Sequence, residues 1–108
     1  MIPVEVVGMG ISPDDLTDNL RALIQRADIL VGAERHLADF QKVPARKQPL
    51  QLGLKPLTAD IRRWMQTRKV VVLASGDPLF FGIGSFLIQA LGAENVVIHP
   101  NVSSVAAA

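Results

Sequence analysis

Residues 70–91 read VVVLASGDPLFFGIGSFLIQAL. Its first part, with Lys69 just before it, makes Lys69 to Ala74 a largely apolar run led by three valines, of the kind that fills a strand buried on both faces. The last part, Phe80 to Leu91, is long and apolar enough for a helix. Only Ser75-Gly76-Asp77-Pro78 separates them. Pro78 fixes its own backbone and biases Asp77 towards an extended conformation, while Gly76 lets another group come close to the main chain. Asp77 could therefore accept hydrogen bonds from a hydroxylated or cationic ligand. It could equally cap the helix that follows, with proline at the first helical position. The turn by itself leaves both readings open.

The same strand-then-helix grammar recurs on either side. Val4 to Val7 is a short β-branched strand running into Gly8. Asp14 and Asp15 precede Leu16, Leu20, Leu23, Ile24 and Ala27, one apolar stripe with acids near the start of a helix. Asp28 to Gly32 reads as a second strand, and residues 33–40 as a short helix. Between Gln41 and Gly53, which include Pro44 and Pro49, a short strand is expected around Leu50 to Leu52. Leu57, Ile61, Trp64 and Met65 mark another amphipathic helix, with Trp64, like Phe86 further on, expected in the core. Asn95 to His99 closes the series as a strand. Alternating strands and helices predict an α/β fold: a mostly parallel sheet of about five strands, joined by right-handed crossovers, with helices on both faces.

In such sheets ligands bind beyond the carboxyl ends of the strands. Four segments fall there: Gly8-Met9-Gly10-Ile11-Ser12, Gly32-Ala33-Glu34-Arg35-His36, Ser75-Gly76-Asp77-Pro78 and Pro100-Asn101-Val102-Ser103-Ser104. A single glycine turn often only closes a loop, but four on one edge favour a binding rim. Ser103 and Ser104 also suit a helix cap. Gly8-Met9-Gly10 does not extend to a dinucleotide fingerprint, because Pro13 stands where the third glycine is required. No Walker lysine follows any glycine cluster. His36 and His99 have no spaced partners that would make a metal site, so none is expected.

Bulk composition narrows the classes further. The 108 residues fit one domain, with 49% hydrophobic and 19% charged residues. Eleven Lys and Arg are scattered among ten acids, for a net charge of +1, so no nucleic-acid partner is implied. There is no cysteine. The start lacks the basic and apolar regions of a signal peptide, and no run nears the ~20 apolar residues of a membrane span. A cytoplasmic location is expected. Val102 to Ala108 looks like the first turn of a severed helix, as if residues 1–108 were one domain of a longer protein.

The ordered set Val4-Glu5-Val6-Val7-Gly8-Met9-Gly10, Ala74-Ser75-Gly76-Asp77-Pro78 and Pro100-Asn101-Val102-Ser103-Ser104 resembles the tetrapyrrole (corrin and porphyrin) methylases. Ala27 to Gly32, Arg35-His36-Leu37 and Leu73 to Gly84 are most similar to the CbiE type. That group, found also as the N-terminal part of larger enzymes, methylates precorrin-6Y or cobalt-precorrin-7. The resemblance implies residues 1–108 as the N-terminal α/β domain of a two-domain methyltransferase, with the C-terminal domain absent. It implies S-adenosylmethionine as cofactor, contacted by Ser75, Gly76, Asp77, Phe80, Ser103 and Ser104, with Gly10 bordering the same cleft. Many members carry proline after that second glycine, where this chain has Ile11.

The resemblance further implies a corrin-precursor substrate in cobalamin biosynthesis, with Arg35 and His36 as candidates for its carboxylates. It suggests a decarboxylating partner of the CbiT type, fused or separate, and a homodimer. No catalytic residue is identified, and none is conspicuous in the sequence. The competing readings are another methylase of the family, a non-catalytic Rossmann-like binding or regulatory domain, and a nicotinamide-dependent domain, the last disfavoured by Pro13.

Overall fold

A computed structural model describes residues 2–9, 17–50, 55–75 and 78–99. The strands are β1 (Val4–Met9), β2 (Ile29–Gly32), β3 (Arg46–Pro49), β4 (Val70–Ser75) and β5 (Val96–His99). The helices are α1 (Asp18–Gln25), α2 (Glu34–Ala38), α3 (Thr58–Trp64) and α4 (Pro78–Leu91). Short 3-10 turns at Lys55–Leu57 and Ala93–Asn95 lead into α3 and β5. The strands form one sheet in the order β3-β2-β4-β1-β5, and every described pairing is parallel.

That order dictates where the helices go. The chain steps towards β3 from β1 to β2 and again from β2 to β3. It then steps back towards β5 from β3 to β4 and from β4 to β5. Right-handed crossovers place helices of opposite steps on opposite faces. The packing shows this division. Ile24 of α1 and Leu37 of α2 join Val7, Met9, Leu30, Val71 and Leu73 on one face. Ile61 and Trp64 of α3 and Leu87 of α4 join Val4, Val6, Ile29, Val31, Val70 and Val72 on the other. Alternate residues of each strand thus serve opposite cores, which is why the strands read as unbroken apolar runs.

Local chemistry accounts for the ends of these elements. Thr17 caps α1, its hydroxyl accepting a bond from the Leu20 amide at 3.2 Å, and Asp18 supplies the first-turn acid. Asp14, Asp15 and Leu16, read from the sequence as the helix start, lie outside the described residues. β1 continues through Gly8 to Met9, two residues past the β-branched run. Trp64 is buried as expected and carries the Arg46 guanidinium 5.6 Å from its ring centroid, whereas Phe86 is only half-buried.

The third strand lies earlier than the sequence reading placed one. It occupies Arg46–Pro49, and the Leu50 amide after it still bonds to the Gly32 carbonyl at 3.0 Å, while Gln51 and Leu52 of the expected strand lie outside the described residues. β3 is an edge strand, bonded on one side only, so it tolerates Pro49 and polar residues that would weaken a central strand. A search for apolar runs passes over such a segment.

Gly92, after α4, has φ +96° and ψ 141°, a region all but closed to residues with a side chain. Gly92→Ala is expected to lower stability by about 1–3 kcal/mol, as read from urea unfolding.

Candidate functional site

The sheet changes winding direction on both sides of β4, against β2 and against β1. β1 and β4 run side by side in the register Val7↔Leu73, Gly8↔Ala74 and Met9↔Ser75. The connection leaving β1 leads to α1 on one face, and the connection leaving β4 leads to α4 on the other. In open α/β sheets ligands usually bind at the carboxyl ends of strands whose connections part in this way. Of the two stretches singled out in the sequence, Met9 ends β1 and Ser75 ends β4 at this point. β5 lies on the far side of β1, so the chain leaving His99 starts from the same edge.

Of the expected cofactor contacts, Ser75 is the last residue of β4, paired with Met9, and Phe80 lies in the first turn of α4. Gly10, Gly76, Asp77, Ser103 and Ser104 lie outside the described residues. Arg35 and His36 belong to α2, at the carboxyl end of β2, on the other side of β4 from β1. Arg35 is exposed and His36 half-buried. Gly32, grouped with them on the binding edge, has a packing role as well. A Cβ there would stand 3.1 Å from Leu73 Cβ and 3.2 Å from the Leu73 carbonyl oxygen. Its small size lets β2 lie close to β4.

Sequence reasoning missed a polar cluster on the α1–α2 face of the sheet. Glu5, midway along β1, is 8% exposed and is the buried charged residue of the described core. One carboxylate oxygen pairs with the Lys69 ammonium, just before β4, and the other lies 2.8 Å from His99 Nε2 at the end of β5. Burial alone pushes the Glu5 carboxyl up, but hydrogen bonds with Lys69 and His99, and their positive charge, outweigh it and hold the group below its ordinary value of 4.5. The signal was available: a lone acid inside Val4-Glu5-Val6-Val7 must find partners or carry a large desolvation cost.

Because the carboxyl's folded value is depressed, its stabilising contribution is present above the unfolded value of 4.5 and fades as pH falls through the lower folded value. Glu5→Gln is thus expected to cost about 1–3 kcal/mol at pH 7. The difference from wild type should shrink below pH 4.5. Denaturant unfolding across pH checks both points.

Comparison with known proteins bears on the switch-point site. The profile of the family described as Tetrapyrrole (Corrin/Porphyrin) Methylases matches residues 3–108. The chain belongs to the tetrapyrrole methylase family. Among curated relatives of this tetrapyrrole methylase family member, the cobalt-precorrin-7 C(5)-methyltransferase of Salmonella typhimurium is 40% identical over 104 residues, covering 93% of this chain and 50% of the relative. The precorrin-6Y C(5,15)-methyltransferase [decarboxylating] of Mycobacterium tuberculosis is 34% identical over 111 residues, covering 93% of this chain and 26% of the relative. The chain thus spans half the length of the first relative and about a quarter of the second. Among solved structures, the cobalt precorrin-4 methyltransferase CbiF aligns with a TM-score of 0.76 at 25% identity, covering 97% of this chain and 48% of that one. The methyltransferase CobJ aligns with a TM-score of 0.75 at 28% identity, covering 100% and 49%. The expected sheet, mostly parallel with helices on both faces, is the one found.

Proposed function

We propose that this chain supplies the N-terminal α/β domain of an S-adenosylmethionine-dependent C-methyltransferase that acts on a corrin precursor of the precorrin-6Y or cobalt-precorrin-7 type, in cobalamin biosynthesis. The observation that carries the reading is the β1–β4 pair, followed in the sequence by a glycine-rich stretch and by Gly-Asp-Pro, in a chain whose relatives are named as methyltransferases of these precursors. The donor set suits the proposed cofactor. Main-chain groups at the ends of two central strands, with Ser75 ending β4 and Asp77 two residues on in the sequence, can meet ribose hydroxyls and an amino-acid moiety.

The cofactor supplies a methyl group already activated on a positive sulfur. The protein's task is then to align two reactants and exclude water, and alignment alone can be worth about 7–11 kcal/mol. Such a site needs no nucleophile–base pair, which fits a sequence that offers none. In this reading Gly10, Ser75, Gly76, Asp77, Phe80, Ser103 and Ser104 hold the donor. Arg35 and His36, one strand away, meet acetate or propionate groups of the macrocycle.

A second domain closes the cleft, as the length of the relatives supports. The decarboxylating activity in the name of the longer Mycobacterium relative supports a CbiT-type partner, fused or separate. We propose a homodimer and a cytoplasmic location. No helix among the described residues is long and apolar enough to cross a membrane. Calorimetric titration of the full-length protein tests the reading. Heat is expected with S-adenosylmethionine and none with NAD; the reverse result would overturn it.

A further inference from the structure

We infer that Glu5 and His99 are positioning residues for the methyl-donor site: their contact fixes the register of β5 on β1 and so sets where residues 100–104 begin. The inference rests on the reading of the carboxyl edge as that site. β5 is an edge strand whose ladder partner is β1, in the register Val4↔Val96 to Val7↔His99. In most strands the register is set by an alternation of buried and exposed residues. β5 specifies it only weakly in its sequence, because Val96, Val97 and Ile98 are all apolar, although Val96 is buried and Val97 is 39% exposed. Its hydrophobic pattern would accept more than one alignment.

The polar cluster removes that freedom. Side chains of Glu5 and His99 share a face of the sheet, with Lys69 on the same side, diagonally across β4. A slip of β5 by two residues would keep the same face but displace His99 by roughly 6.6 Å. That would leave Glu5 without one of its partners inside the core. A slip by one residue would turn His99 to the other face. An apolar residue at position 5 would pack at lower desolvation cost, so the carboxylate is poorly explained by stability alone. Fixing register is the better-attested use of a buried polar contact. The residues whose start it fixes are Pro100-Asn101-Val102-Ser103-Ser104, the run proposed to meet the donor.

The test uses the full-length protein with S-adenosylhomocysteine as probe, measuring Kd by calorimetry and thermal stability in parallel. His99→Leu keeps an apolar strand but breaks the contact, and a Kd about 10-fold weaker is expected. His99→Gln retains an N–H donor of similar reach and is expected to restore Kd to within about threefold of wild type. A merely structural role would lower the melting temperature of His99→Leu and leave the Kd of the folded protein unchanged. Equal affinity in wild type and His99→Leu overturns the positioning role and leaves the donor site standing. Equal loss in the leucine and glutamine variants overturns the hydrogen-bonded contact as its cause. Absence of binding to wild type overturns the donor site itself, and the inference with it.

Discussion

Asp77→Asn in the full-length protein is expected to weaken S-adenosylmethionine binding by roughly 10- to 100-fold while leaving the melting temperature almost unchanged. The substitution separates the two roles that the sequence allows this residue. Asparagine caps helices as well as aspartate does, so a purely structural Asp77 would be replaced at little cost. It lacks the anionic acceptor, however. A hydrogen bond to a charged group contributes about 1.5–3 kcal/mol, and each 1.36 kcal/mol is a factor of ten in affinity. In the sequence Asp77 stands two residues after Ser75, the end of β4, and just before Pro78, the first residue of α4. Binding measured by calorimetry, beside thermal unfolding, decides between the roles. Unchanged affinity would return Asp77 to helix capping.

The largest effect on the fold is expected from Val72→Asp, which should abolish folding of the chain at 25 °C. Val72 sits at the middle of β4, paired with Val6 on one side and Val31 on the other, and is fully buried. It belongs to the core that includes Ile61 and Leu87, the packing residues of α3 and α4. A carboxylate there has no cationic partner among the described residues of that core. Burying an unpaired charge costs several kcal/mol, and the group would otherwise have to take up a proton. Whole domains are stable by only about 5–15 kcal/mol. Val97→Thr, by contrast, alters a position that is 39% exposed on the edge strand and is expected to change stability by less than about 0.5 kcal/mol. Circular dichroism and denaturant titration of the two variants would reveal the contrast.

The central part of the fold was legible because parallel strands buried on both faces have a distinctive composition. Val4-Glu5-Val6-Val7, Ile29-Leu30-Val31 and Val70-Val71-Val72-Leu73 announce themselves, and each is followed by a stretch that reads as a helix. The edge is written differently. Arg46-Lys47-Gln48-Pro49 has no apolar pattern, because half its main-chain groups face outwards and charge and proline protect such an edge. No propensity argument would favour it over Leu50 to Leu52. α1 begins at Asp18 because Thr17 supplies a cap, and acids upstream drew attention away from that hydroxyl.

For the site, the turns could be singled out from Gly76, Asp77 and Pro78, but not their neighbours in space. That Ser75 lies beside Met9 follows from the strand order β3-β2-β4-β1-β5, which depends on how the faces pack together rather than on any one segment. The Glu5, Lys69 and His99 cluster was hidden for the same reason. Its members are 94 and 64 residues apart along the chain and meet only because β4 and β5 both flank β1. The lone glutamate in a valine strand was a visible demand for partners, but not a pointer to which ones.

The central claim is that the carboxyl ends of β1 and β4 form the seat of a methyl donor. A crystal structure of the full-length protein with S-adenosylhomocysteine tests it most directly. The ligand is predicted to lie beyond Met9 and Ser75, in contact with Gly10 and Asp77. A ligand found instead at the amino ends of the strands, or in the groove between α1 and the turn after α2 lined by Arg21, Phe40 and Lys42, would contradict it.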